Sequence, residues 1–480
     1  MTFRTKTFKL HALAAAVTMG LVACGGGDDP APTPPTPMST LDKVKAFLAQ
    51  DASLWATAVP SAEQIFARHD SCSLNNGSSR EMRIAAFNTS AAAYRKGVKF
   101  ENVEVLAERS TTNSDGSTRQ EVDIRFDEAY ADGTRDDAIR TTLISGSSAG
   151  TPGCAAPTAT DELRWWGNRR LVGFSVGPRN IFYNNVKLAD GTATAAPQSL
   201  RREIRLSVND PGLRASYAIV SGPGLASGAW KMLSPKTIRD APEMQGKPGN
   251  QNFLDSDNFR VCLVPNGVGY SAAAADCTGQ GVGSDAAGVT VSSPIDSAKL
   301  AAADDMFNSW GVSAGAQYSV AVYADDGWKT VNGQAGKTPI ATYTTTLGAM
   351  PHTLARMAAE PTMAPAIASN SMTVAQMAEA MRGTGGTANL TLRQPRDVAG
   401  EALVRISYIN AYEHGPKAGA TGSWPRVRAF NLSYTEPNAN VLSALIPGKP
   451  ADAGGVTYGE LFLNATDRNG RNVASAMAFN

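Results

Sequence analysis

The chain has 480 residues, with 44 Lys and Arg against 43 Asp and Glu, a formal net charge of +1. So even a balance lacks the basic excess that nucleic-acid binding requires, and no long basic run points to an anionic lipid surface. The length suggests about three domains.

Residues 1–23 read as a leader. Arg4, Lys6 and Lys9 form a positive start with no acidic residue. Residues 12–23 are apolar, about the length of a signal-peptide core and too short to span a bilayer. Leu21-Val22-Ala23-Cys24 follows, and Gly25 comes next. This tetrapeptide resembles the lipobox of proteobacterial lipoproteins, a resemblance confined to residues 1–24. It implies cleavage before Cys24, a diacylglyceryl group on that thiol and acylation (palmitate or similar) of the new amino terminus. The expected address is the bacterial cell envelope, with the membrane as a partner through the lipid. In that family Asp after the cysteine retains proteins in the inner membrane. Gly25 therefore leans towards the outer membrane, facing the periplasm or the surface. Several acyl chains together hold firmly, because each buried CH₂ contributes roughly 0.8 kcal/mol. Without the leader, 41 cations face 43 acids, a net charge of −2.

Residues 24–39 hold the acylated cysteine and a Gly- and Pro-rich tether. Glycine gives flexibility, and the proline run favours polyproline II at about 3.1 Å per residue. No later apolar stretch is long enough for a membrane helix.

From 40 to 177 the pattern is α+β. Leu41, Val44, Phe47 and Leu48 recur at helical spacing after Thr40, Pro60-Ser61 opens a second helix, and a third is expected over 80–94. The period then falls to two: Val103 and Val105; Val122, Ile124 and Phe126; Ile139, Thr141 and Leu143. Asp115-Gly116 and Asp132-Gly133 mark hairpin turns between them. A fourth strand pair is expected through 163–168 and 171–176. Helices followed by an antiparallel meander, with a Trp166-Gly167-Asn168 strand turn, resemble the NTF2-like fold. That resemblance implies a curved sheet wrapped around helices and a pocket, and carries over no catalytic residue.

From 178 to 350 short alternating strands, among them Ile204, Leu206 and Val208 and later Tyr318, Val320 and Val322, predict a β-sandwich-like domain. One helix is expected near 301–310. Residues 351–387 read as a helical connector, with Met357, Met377 and Met381 as core packing. Residues 388–480 predict a second sandwich-like domain. The turns after Tyr323 and Asn464 each lie between alternating strands, as the closing hairpins of tandem modules would. These parts resemble fibronectin type III or immunoglobulin-like modules in pattern, which implies spacer or binding roles.

Beyond Cys24 the cysteines are Cys72, Cys154, Cys262 and Cys277. In an exported chain disulfides are expected, and pairing Cys72 with Cys154 and Cys262 with Cys277 keeps each bridge within one domain. No C-x-x-C or neighbouring histidine suggests a metal.

Two G-x-S-x-G matches place Ser175 and Ser313 as serine-hydrolase candidates, but neither lies on a strand-to-helix turn. His69, His352 and His414 fall in separate segments, His414 beside Glu413 in an expected loop. Asp255, Asp257, Asn258, Asp325 and Asp326 offer oxygens that suit calcium or simply turns. Trp165 and Trp166, flanked by Arg164, Arg169 and Arg170, face opposite sides of a strand. Arg164, Trp165 and Trp166 are the ligand-contact candidates. The resulting expectation is a lipid-anchored envelope protein with a non-catalytic binding or structural role and no cofactor. A serine hydrolase, and a small-molecule carrier with its pocket in 40–177, are the alternatives.

Overall fold

The structure is a computed structural model. It describes residues 38–480 except 90–91, 132, 134, 152–153, 155, 226–227, 246, 248–256, 264–275, 279–281, 284–288, 369–371, 383–387, 394, 397–404, 415–425, 433–440, 447–455 and 468–470. Of strand residues 196–197, 388–389, 405–414, 426–432 and 441–446 it describes the backbone alone. Cys24, the leader and most of the tether thus lie outside the described residues.

Helix α1 (Thr40–Leu54) buries Val44, Phe47 and Leu48, the stripe expected from their spacing. Helix α2 (Ala62–Phe66) starts in a capping box between Ser61 and Gln64. The chain then makes a small hairpin of β1 (Leu74–Asn75) and β2 (Ser78–Ser79), leading into α3 (Arg80–Ala85) with Ser79 as its N-cap. The third helix is therefore shorter than expected. Strands β3 (Lys99–Thr112), β4 (Thr118–Ala129), β5 (Arg135–Ser147) and β6 (Ala159–Trp165) form an antiparallel sheet in chain order. Its register breaks in all three pairings, and such bulges bend and twist a sheet. Gly116 and Gly133 adopt positive φ in the expected turns. Val44, Phe47 and Leu48 pack on Val122, Ile124, Phe126 and Leu143, so α1 covers one face of the sheet.

The segment after α2 runs beside β6. Trp165 N donates to Arg68 O, Asp70 N to Trp165 O, and Leu74 N to Trp166 O. The pairing expected between 163–168 and 171–176 does not form. Gly167 adopts φ +81°, where a Cβ would run into the Leu74 carbonyl oxygen, and Arg169 is also at positive φ. The chain turns away there and leaves the sheet.

It enters β7 (Gly173–Val186), which pairs with β8 (Ala193–Asn209), followed by β9 (Tyr217–Ser221), β10 (Ala229–Leu233), α4 (Pro235–Asp240), β11 (Arg260–Val261) and β12 (Val289–Pro294). Helix α5 (Ser297–Ser309) covers the segment where one was expected, and β13 (Gln317–Tyr323) and β14 (Ala341–Thr346) make a hairpin. Next come α6 (Leu354–Ala359), β15 (Ala366–Ile367), α7 (Val374–Arg382) and β16 (Ala388–Arg393). The last strands are β17 (Arg405–His414), β18 (Arg426–Leu432), β19 (Val441–Ile446), β20 (Tyr458–Thr466) and β21 (Asn472–Phe479).

Among the described residues these strands form three sheets, ordered β11-β10-β9-β13-β14, β12-β8-β7-β21-β20-β17-β18 and β15-β16-β19. The chain is β-rich, and among the described residues its strands pair antiparallel apart from β21, which runs parallel to β7 from Asn472 opposite Arg179 to Phe479 opposite Val186. The two larger sheets face each other in the manner of a sandwich. Phe174, Ile204, Leu206, Val291 and Val473 meet Val220, Trp230, Met232, Val320 and Val322, with Phe307 of α5 in the same core. A second core joins Met377 and Met381 of α7 to Leu390, Leu392, Leu461, Leu463 and Phe479.

The expected boundary at 177/178 therefore falls inside β7, and strands from 178–350 and 388–480 share one sheet. Alternation marks each strand but not its neighbour, which is why two modules were read where the sheet is continuous.

Cys72 is bonded to Cys154 and Cys262 to Cys277, closing loops of 82 and 15 residues. Chain entropy alone assigns about 4.5 and about 3 kcal/mol to such closures. No described helix is long and apolar enough to cross a membrane.

Candidate functional site: an aromatic cavity between helices and sheet

A cavity of about 770 Å³ opens between the helices of 40–95 and the β3–β6 sheet. Trp55, Phe66, Phe87, Tyr94, Phe126 and Trp165 supply its aromatic wall. Among its polar lining are Asp51, His69, Arg83, Arg95, Glu128 and Arg140.

Trp165 is positioned from two directions. Its Nε1 donates to Asp51 Oδ1 at 3.2 Å, and its ring meets Phe47 edge-on with centroids 5.2 Å apart. Asp51 in turn accepts from Arg68 Nε at 2.9 Å, so α1, the segment after α2, and β6 meet at one carboxylate. His69 lies between Phe66 and Trp165, with ring centroids 4.9 and 6.2 Å away.

Burial, and then the charges of Arg83, Arg80, Arg68 and Arg95, push the His69 imidazole down to a pKa of about 2. The ring is neutral throughout the physiological range. Arg83 Nη1 lies 3.3 Å from His69 Nδ1, and a guanidinium only donates, so Nδ1 accepts and Nε2 carries the proton. Arg83 also donates to Ser73 Oγ at 2.7 Å and stands over the Phe66 ring at 5.2 Å. Burial lowers its pKa to about 10, which leaves it cationic at neutral pH.

The far end of the cavity is charge-compensated. Arg95 Nη2 donates to Glu128 Oε1 at 2.7 Å and lies over the Trp55 ring at 5.1 Å. The Tyr130 hydroxyl sits 2.7 Å from Glu128 Oε2 and 2.6 Å from Asp136 Oδ2. Burial and the Glu128 charge raise the Tyr130 pKa far above that of a free phenol, so its proton stays shared between two carboxylates.

The sequence-level candidates separate. Trp165 lines the cavity; Arg164 and Trp166 do not. Alternation along β6 puts Arg164 and Trp166 on the opposite face from Trp165. There Arg164 Nε donates to Asp70 Oδ2 at 2.9 Å, and its other nitrogens donate to the carbonyls of Gly146, Thr160 and Glu162. Its charge is met by Asp70 and it lies outside the cavity lining, so Arg164 acts as a staple between the segment after α2 and β6. Trp166 is buried against Ile144 and Cys72, with Arg169 over its ring at 4.4 Å.

Ser175 is exposed near the start of β7, opposite Ser207 of β8, and Ser313 is exposed in the turn before β13. Neither occupies a strand-to-helix turn. His352 is buried with Nε2 3.4 Å from Asp467 Oδ2. His414 falls in strand β17 rather than the expected loop, and its side chain lies outside the described atoms. Asp325 accepts from Tyr217 Oη and Gly327 N, which is turn chemistry. Asp255 and Ser256 lie outside the described residues. No group of three or more His, Cys, Asp or Glu is placed to hold a metal among the described residues.

Asp51, His69, Arg83, Arg95 and Glu128 were not legible as site residues. They are spread over some eighty positions and converge only through the bend of the sheet. The one local signal was the three arginines at 80, 83 and 95 in a stretch whose other charge is Glu81.

No protein-family model and no curated protein matches the chain. Solved structures similar to it include the yeast delta-COP-I mu-homology domain, at 7% identity and TM-score 0.15, covering 64% of this chain and 96% of that one. Another is a 1.5-MDa bacterial ice-binding adhesin, at 10% identity and TM-score 0.14, covering 80% and 96%. Likeness at this level supports neither a shared fold nor a shared activity.

Proposed function

We propose that this is a lipid-anchored protein of the bacterial envelope whose helices and sheet at 40–165, an NTF2-like arrangement, bind a small molecule without transforming it. The observation that carries the reading is the cavity at Trp165: about 770 Å³, walled by aromatic rings and set with a few convergent polar groups. Small-molecule sites have this size and make-up. The Leu21-Val22-Ala23-Cys24 lipobox supports the anchor. Of the readings open at the level of sequence, the carrier is the one the geometry favours.

The test is titration of the purified chain with N-phenyl-1-naphthylamine, a neutral fluorescent probe. Saturable binding at one site that Trp165→Ala abolishes is expected. A chain that folds but takes up no probe would sink the carrier reading. Ester turnover that disappears in a Ser175→Ala, Ser313→Ala double variant would replace it with the hydrolase. Labelling of Cys24 by radiolabelled palmitate, lost in Cys24→Ser, tests the anchor separately.

A further inference from the structure

The lining of the cavity contains three guanidiniums, Arg83, Arg95 and Arg140, against two carboxylates, Asp51 and Glu128. Both carboxylates are already matched, Glu128 by Arg95 at 2.7 Å and Asp51 by Arg68 at 2.9 Å. Arg83 and Arg140 have no carboxylate within ion-pair distance among the described residues. Glu81, on the first turn of α3, is exposed: its charge offsets part of the burial cost of Arg83, but it makes no ion pair with it. What Arg83 does touch is neutral: His69, Ser73 and the Ser79 carbonyl.

A half-buried guanidinium without a counter-ion is costly unless something supplies the negative charge. His69 reinforces this polarity. Its ring stays uncharged among four arginines, with Nδ1 held by Arg83 and the Nε2 proton given no partner by any described contact. Two donors, Arg83 and His69 Nε2–H, therefore belong to the same end of a cavity whose wall is aromatic. Guanidinium and imidazole N–H groups bind carboxylates more strongly than they bind neutral oxygens. Flat rings at the wall favour a flat apolar body stacked or edge-on against them.

Building on the carrier reading, we infer that the ligand is an anion with a planar, apolar body, an aromatic or conjugated carboxylate, whose charge lies at Arg83 and His69. The Arg95–Glu128–Tyr130 end, already compensated, takes the uncharged part of the ligand. Arg140, on β5 at the exposed rim, adds positive potential at the entrance and has a smaller share in the affinity.

Calorimetry on the full chain with three probes of one shape tests this: 2-naphthoate, 2-naphthylmethanol and 2-naphthylmethylammonium. Naphthoate is expected to bind about tenfold or more tightly than the alcohol, and the ammonium not measurably. Arg83→Met removes that preference, with the alcohol changed by less than about twofold; Arg83→Lys, which keeps the charge, restores part of it. Equal affinity for naphthoate and alcohol, or an unaltered ratio in Arg83→Met, overturns the inference. If N-phenyl-1-naphthylamine binds and naphthoate does not, the anion inference falls and the pocket stands. If no probe binds, both fall. Should Arg83→Met fail to fold, the charge series on the unaltered chain decides, with a preference for the neutral or cationic probe overturning the inference.

Discussion

Arg164 Nε donates to Asp70 Oδ2 at 2.9 Å, with the two side chains 7% and 0% exposed. Asp70 Oδ1 also accepts from Cys72 N at 2.8 Å. The pair thus pins the strand-like segment after α2 against β6 next to the Cys72–Cys154 bridge. A buried pair of this kind costs most when only one half is taken away. Arg164→Met is expected to lower stability by about 3–5 kcal/mol in urea unfolding while leaving cavity binding, corrected for the folded fraction, intact. Loss of binding in a fully folded variant would return Arg164 to the ligand site.

Trp165→Phe keeps an aromatic wall and deletes the Nε1–H that reaches Asp51. Asp51 retains Arg68 as a partner, so the expected loss is small, about 1 kcal/mol. Probe affinity should fall severalfold less than in Trp165→Ala. Equal losses in the two variants would mean that the Asp51 hydrogen bond, and not the ring surface, sets the wall.

His69 gives a pH signature. Its folded pKa of about 2 lies far below the ordinary 6.5. Below pH 6.5 the unfolded chain takes up a proton that the folded chain refuses. This contribution is complete above pH 6.5 and is lost as pH falls towards 2, by about 1.4 kcal/mol per unit. Between pH 7 and pH 5 the loss from this group is about 2 kcal/mol, and it is absent in His69→Gln. In proton NMR the His69 C2–H resonance should not move between pH 8 and pH 5; titration near 6.5 would contradict the buried, neutral ring.

Reduction should act unequally on the two bridges. Cys72→Ser with Cys154→Ser opens the longer loop, at an expected cost of about 2–5 kcal/mol, and loosens the cover over Ile144 and Trp166. Cys262→Ser with Cys277→Ser opens a loop of 15 residues in another core. Thermal unfolding of each pair variant measures the difference, and the first is expected to lose more. The reverse order would show that strain or residual structure in the unfolded chain outweighs loop length.

Much of the fold was legible where one element suffices. The Val44, Phe47 and Leu48 stripe, the turns at Asp115-Gly116 and Gly133, α5 and the methionines of α7 all appear where their patterns place them. The cysteine pairing was legible because local pairing was the simplest arrangement. Strand partnership was not, since a period of two says which face a residue takes and nothing about its neighbour. Hence 171–176 was assigned to the wrong partner, and two modules were read across a continuous sheet. Trp165, singled out through its composition, lines the cavity, whereas His69 carries no local mark and Arg83 only that of its neighbouring arginines. Arg164, one residue from Trp165, lies outside the cavity because adjacent strand positions face opposite ways.

The parallel contact of β21 with β7 sets an order of events in time. Residues 472–479 lie between β7 and β20, in the middle of the largest sheet, so the ribosome delivers the central strand after both of its neighbours. Until then β7 and β20 each expose an edge, and a nascent chain offers two templates for wrong pairing. Under the export proposed above, the delay would protect as well as endanger: the sheet stays unclosed, and the polypeptide extensible, until this strand arrives.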